Sequence, residues 1–208
     1  HLDHGGGLKT FLESNNKAII FMHKLAFGQH YANILGFKFK VGLDNNLKEC
    51  DRIFYTEESM TVYSNLQLFS NITEKNFCPK SNNNLYAKID GEYKTDLFEH
   101  EQNLIIKENG KYIMFCGCAH KGIINILEKA ELLCGQELDY VIGGFHLFNP
   151  LSRKIEDVNL IESIANKLKK RKTRYFTCHC TGEKPFSILH SYMGDQVQYL
   201  STGSSIVI

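Results

Sequence analysis

His1-Leu2-Asp3-His4-Gly5-Gly6-Gly7-Leu8 begins the chain, and its two imidazoles and one carboxylate within four positions form a metal-ligand cluster. In an extended or turn conformation, His1 and Asp3 point one way and His4 falls alongside as the chain bends. Closing such a turn on an ion calls for glycine next, because positive φ and close backbone approach are cheap only there. Taken alone, the tetrapeptide reads equally well as a tag remnant or a solvated terminus. Its weight comes from partners further along.

Two later stretches supply them. Residues 112–116, Tyr-Ile-Met-Phe-Cys, are apolar and β-prone and lead through Gly117-Cys118-Ala119-His120 into a helical pattern. His120 is thereby delivered at the carboxyl end of a strand, where open α/β sheets place their sites. Residues 174–178, Arg-Tyr-Phe-Thr-Cys, repeat the plan and lead to His179-Cys180-Thr181-Gly182 and another helix. A fourth stretch, Gly143-Gly144-Phe145-His146-Leu147, follows the apolar run Leu138 to Ile142.

Taken in order, H-x-D-H-G-G, G-C-A-H-x-G-I-x-N-I, G-G-F-H-L and C-H-C-T-G resemble the motifs of the metallo-β-lactamase-fold hydrolases, and within them the dihydropterin ribofuranosylaminobenzene phosphate synthase-like branch. The resemblance runs from residue 1 to the C-terminus. It implies an α/β (α+β) fold, the αββα sandwich, as a single domain over residues 1–208. The family's first motif is H-x-H-x-D-H and this chain begins at its second His. The domain is therefore expected to be N-terminally incomplete, with part of the first sheet missing. An apolar sheet face left open in that way would be covered by further polypeptide or by a second chain, a homo-oligomer included.

Composition narrows the field. The 208 residues are 43% hydrophobic and 23% charged, ordinary for a globular domain. A net charge of +1 argues against nucleic acid as a partner, and no run of eighteen apolar residues suggests a membrane span. Seven cysteines include the pairs Cys116/Cys118 and Cys178/Cys180, too close for ordinary bridging, so a reducing cytoplasm is expected rather than a disulfide scaffold. The same cysteines beside His120 and His179 raise a rival, a structural zinc site with sulfur ligands. Against it, such sites usually space their cysteines C-x₂₋₄-C.

Elsewhere the patterns are local. Leu8, Phe11 and Leu12 recur at helical spacing up to Asn15-Asn16, and Ala18 to Met22 read as a buried strand ending at His23. His23 and His30 read as partly exposed polar residues. Ser81-Asn82-Asn83-Asn84 reads as a surface loop, and His100 and Glu101 as residues supporting the ligands. Asn109-Gly110 is a type I′ hairpin signal pairing 104–106 with 112–115. Ile123, Ile126, Leu127, Ala130 and Cys134 mark the inner face of a helix closed by Gly135. Val158, Ile161, Ile164, Ala165 and Leu168 mark a second, whose basic tail 167–172 complements the helix dipole. Pro185 starts a last helix bearing Phe186, Leu189, Tyr192 and Met193, and 196–201 and 205–208 read as strands.

The family pattern implies His1 and His120 as ligands of one metal, and Asp3, His4 and His179 of the other. The bridging carboxylate expected at the fourth motif is replaced by His146, which becomes a ligand or its support. Two divalent ions, Zn²⁺ with Mn²⁺ or Fe²⁺ as alternatives, would hold a bridging hydroxide as nucleophile, with Asp3 orienting it. Gly5 to Gly7 and Thr181-Gly182 precede helices, whose free N–H groups favour an anion. The expected activity is hydrolysis of an ester, phosphoester or related bond in a small, phosphate-bearing or otherwise anionic substrate. A catalytically silent relative is the other alternative.

Overall fold

The structure is a computed structural model that describes residues 1–74, 76–150 and 152–208. Its first half carries α1 (Leu2–Gly5), α2 (Leu8–Ser14), β1 (Ile20–His23), β2 (His30–Ile34), β3 (Phe37–Lys40), β4 (Ile53–Thr56), β5 (Ser59–Tyr63), β6 (Leu66–Phe69), β7 (Leu85–Ile89) and β8 (Glu92–Thr95). Its second half carries β9 (Asn103–Glu108), β10 (Lys111–Phe115), α3 (Ile123–Cys134), β11 (Tyr140–Gly143), β12 (Phe148–Asn149), β13 (Lys154–Ile155), α4 (Val158–Leu168), β14 (Arg174–Thr177), α5 (Glu183–Met193) and β15 (Val197–Tyr199).

The main sheet runs β15-β14-β11-β10-β9-β6-β5. Its half from β10 to β15 is parallel, because α3, α4 and α5 form the crossovers, and its other half is antiparallel, because hairpins connect it. The hairpin between β9 and β10 turns on Asn109 and Gly110, both at positive φ (50° and 78°), as a type I′ turn requires. The helices bury one stripe each: Ile123, Ile126, Leu127 and Ala130 of α3, and Ile161, Ile164, Ala165 and Leu168 of α4, join Met114, Val141 and Tyr175 of the sheet in one core. Gly135 closes α3 in the left-handed conformation.

A four-stranded antiparallel sheet, β3-β2-β7-β8, and a parallel pair, β1-β4, make up the smaller layer. Its core is slight, with Phe27, Leu43 and Ile53 buried, while Phe37 and Phe39 on β3 stay 70% and 50% exposed.

Four expectations change. The His1–His4 segment is not extended or a turn, since Leu2–Gly5 is a short helix. Gly5 to Gly7 do not adopt positive φ; Gly6 is needed for space, because a Cβ there would lie 2.5 Å from the backbone oxygen of Leu2. Residues 205–208 are not a strand, as β15 is the sheet's edge and no strand lies beyond it among the described residues. Val158 is 44% exposed, being the first residue of α4, where the stripe has not yet met the sheet.

Candidate metal centre

Two strand-to-helix corners of the main sheet, after β10 and β14, and the bend between β11 and β12 meet at the site, and glycines let them close. Gly144 N–H donates to Gly117 O (2.8 Å), and a Cβ on Gly144 would sit 2.6 Å from Cys180 Sγ. Gly182 takes φ +75°, and its Cβ would sit 2.6 Å from Phe148 Cβ. At these corners Ala119, His146 and His179 all carry positive φ (57°, 49° and 52°), the left-handed conformation that costs a β-carbon residue energy and is held by surrounding contacts.

His120 is clamped from three sides. Its backbone N–H donates to Glu101 Oε1 (2.6 Å), and Lys121 N–H donates to Oε2 (3.0 Å). Asn82 Nδ2 donates to His120 O (2.7 Å), while its Oδ1 lies 2.9 Å from His120 Nδ1. Phe98 stacks on the imidazole at 4.2 Å. With Nδ1 engaged, Nε2 is the nitrogen left for a ligand role. Burial, then the neighbouring His146, holds the His120 pKa well below the usual imidazole range. His146 lies 4.1 Å ring to ring from His120, its pKa is lowered by burial to about 4, and its Nδ1 is buried with no partner among the described residues.

On the N-terminal side, His179 Nε2 and Asp3 Oδ2 are 3.1 Å apart, and His4 Nε2 and Cys118 Sγ are 3.0 Å apart. The hydrogen bond to Asp3 raises the His179 pKa to about 10, and the same bond lowers Asp3 to about 2. One donor atom from each of Asp3, His4, Cys118 and His179 lies within 4.8 Å of every other. Cys118, His146 and Cys180 form a second such group, and His1, His30, Asp96 and His100 a third; His120 belongs to none of them. A cavity of about 530 Å³ opens over the first two, walled by His120, His146, His179, Asp3 and His1, and by the apolar Ala32, Val41, Leu85, Phe148 and Pro150.

No family model matches the chain. Among curated proteins it is 29% identical to the 7,8-dihydropterin-6-methyl-4-(β-D-ribofuranosyl)-aminobenzene-5′-phosphate synthase of Methanocaldococcus jannaschii, over 99% of this chain and 72% of that protein. An uncharacterized protein of the same organism is also 29% identical, over 91% of this chain and 69% of its own. A crystal structure of a metal-dependent hydrolase of the β-lactamase superfamily superposes with a TM-score of 0.75 at 23% identity, covering 93% of this chain and 73% of that one. The chain has the metallo-β-lactamase fold. It is a distant homologue of the synthase.

Within this metallo-β-lactamase fold, the structure brings Asp3, His4 and His179 together and sets His120 beside His146, with Asp3, His179, His120 and His146 lining one cavity. His1 lies between His120, 5.2 Å away ring to ring, and the third group. Thr181 and Gly182 stand back from the cavity walls. Thr181 is fully buried, its hydroxyl accepting from Phe145 N–H (2.9 Å) and bonded to Thr177, so its side chain joins two corners. Asn82 is part of the site although its run reads as a surface loop, and His23 and His30 are buried, not partly exposed. Cys118 is a donor that the C-x-C spacing obscured. The donor chemistry fits a divalent metal: two imidazoles, a carboxylate and a thiol are what Zn²⁺ takes, and the unpartnered Nδ1 of His146 points to a further ligand role.

Proposed function

We propose that this protein is a binuclear metal-dependent hydrolase that cleaves an ester, phosphoester or related bond in a small anionic substrate. The convergence of Asp3, His4, Cys118 and His179, of which Asp3, Cys118 and His179 line the 530 Å³ cavity, carries this reading. Those four would hold one ion, Zn²⁺ before Mn²⁺ or Fe²⁺ because a thiol is a soft ligand. His120, His146 and His1 would serve a second. Ions so held supply Lewis acidity and make water acidic enough to ionise near neutral pH.

The chain's own residues do the rest. Asp3, kept ionised by His179, is an acceptor for a proton at the cavity rim. Asn82 and Glu101 hold His120 in one orientation. The apolar wall suits the body of a ring-bearing substrate, and since the walls carry no Lys or Arg among the described residues, an anionic group would meet the metal end. The phosphate in the name of the synthase relative supports such a group.

Metal analysis together with turnover of generic phosphodiester and lactone substrates tests the proposal. Asp3→Ala should lose most metal-dependent turnover while melting close to the parent, since Asp3 is half-exposed and outside the core. Equal turnover in mutant and parent removes Asp3 from the ligand set. The Cys118, His146 and Cys180 group favours one other reading, a structural zinc site. In that case metal would be lost on cysteine alkylation and retained when Asp3, His4 and His179 are replaced.

A further inference from the structure

The sheet β3-β2-β7-β8 has two faces of different chemistry, and one of them leads into the cavity. Residues directly opposite one another on antiparallel strands share a face, and faces alternate along each strand. Leu85 of β7, Ala32 of β2 and Phe39 of β3 lie opposite one another, and Ile34 lies opposite Phe37. Ala32 and Leu85 line the cavity. So does Val41, two residues past Phe39 and held in line by its N–H, which donates to His30 O (2.8 Å). Phe39 and Phe37 therefore continue the apolar cavity wall outward along one sheet face.

On the opposite face the sheet covers itself. Lys38 Nζ lies 3.0 Å from the centre of the Tyr86 ring, and the Tyr31 and Tyr93 rings meet edge to face at 5.0 Å. On the cavity side, Phe37 and Phe39 stay 70% and 50% exposed. The turn joining β2 to β3 extends this apolar edge, since Leu35 is 94% exposed and takes positive φ together with Gly36 (51° and 89°). Such a turn ordinarily opens with Asn, Asp or Gly, and a leucine there costs conformational energy without burying its side chain. An exposed apolar patch that is continuous with a cavity wall marks a binding surface.

The geometry points to Phe37 and Phe39 as an outer subsite for the far end of the substrate. The substrate class is then an elongated amphiphile, with its anionic group at the metals and an apolar body of linked rings lying along β3. This rests on the reading of the cavity as a hydrolase site and adds to it the shape of what that site takes. At about 3.3 Å per strand residue, Phe39 lies roughly 7 Å and Phe37 roughly 13 Å beyond Val41. A body that covers both is longer than a single ring. Covering them removes aromatic surface from water on both partners, so the outer rings contribute affinity and select for length.

Calorimetric binding of phenylphosphonate and 4-biphenylphosphonate to the zinc-loaded chain tests this, because neither probe can be hydrolysed. The biphenyl probe should bind the parent about tenfold tighter or more, from burial of its second ring. In Phe37→Thr/Phe39→Thr that advantage should fall to within about twofold, with the affinity for phenylphosphonate unchanged. Threonine keeps the strand propensity and neither ring belongs to a core, so the variant should fold. Tyr93→Thr, on the opposite face, should leave both affinities as in the parent. Failure of either probe to bind, equal affinities in the parent, an advantage that survives in the Thr variant, or the same loss in Tyr93→Thr would each overturn the subsite. A parent without the advantage that dimerises in sedimentation, with the dimer lost in the Thr variant, gives the face to a second copy and overturns it too. Turnover of bis(p-nitrophenyl) phosphate by the same samples keeps the two readings apart. Its absence with the biphenyl advantage intact removes the hydrolase and leaves the subsite, and turnover without the advantage does the reverse.

Discussion

Glu101 offers the most exacting test of how the His120 corner is held. Each of its carboxylate oxygens accepts one backbone N–H, from His120 at 2.6 Å and from Lys121 at 3.0 Å. Glu101→Ala strands both donors, and a buried donor left without an acceptor costs about 1–3 kcal/mol. Glu101 lines a cavity of about 290 Å³, from which water can replace part of the loss. The expected destabilisation is therefore about 2–4 kcal/mol. Glu101→Gln keeps one acceptor and should cost about half as much at neutral pH. The two variants also separate by pH. Burial raises the Glu101 pKa from 4.5 to about 7, against the pull of its two N–H donors. The folded carboxyl thus keeps its proton where the unfolded chain has lost it. This contribution to stability is fully present below pH 4.5 and is lost as pH rises through about 7. At about 1.4 kcal/mol per pH unit the change is on the order of 3 kcal/mol at most. Gln cannot titrate, so its deficit relative to the parent should shrink between pH 5 and pH 8. Urea unfolding of chelator-treated protein, followed by circular dichroism at both pH values, measures this. A deficit that is the same at both, or an Ala variant within 0.5 kcal/mol of the parent, refutes the account.

Further outcomes follow from the same contacts. Asn82→Ala should weaken zinc binding roughly 10–100-fold in chelator competition, because His120 loses the partner of its Nδ1; unchanged affinity would show that His120 is not a ligand. Gly182→Ala should cost about 2–4 kcal/mol in thermal or urea unfolding, since a side chain there meets both a glycine-only backbone conformation and Phe148. In metal-free protein, proton NMR should find His179 still an imidazolium at pH 8, with the stabilisation from its Asp3 partner present below pH 6.5 and lost as pH climbs through about 10. Asp3→Asn should bring the midpoint down by more than one unit, and a parent midpoint below 7 would mean the pair does not form.

Local chemistry made much of this protein readable from its residues. The Asn109-Gly110 hairpin, the stripe of α3 and the Gly135 stop depend on backbone preferences and a 3.6-residue period, which neighbours in sequence express by themselves. The same holds for the corners: a β-prone run that ends in Gly-Cys-Ala-His or Cys-His-Cys-Thr-Gly announces a strand, a tight bend and a side chain at its tip. Contacts across the chain were not readable in this way. Asn82 and His120 are 38 positions apart and His30 and Asp96 are 66 apart, and nothing local distinguishes an asparagine that orients an imidazole from one that faces water. Residues 205–208 are as β-prone as β15, but a strand exists only where a neighbour supplies its hydrogen bonds. Thr181 lies at the expected corner, yet its direction was settled by Phe145 N–H and Thr177, two groups brought there by other strands. Tertiary packing likewise decided which donors share a site, grouping Cys118 with Asp3, His4 and His179 and setting His1 beside His30, because coordination reach is a matter of ångströms that sequence spacing does not measure.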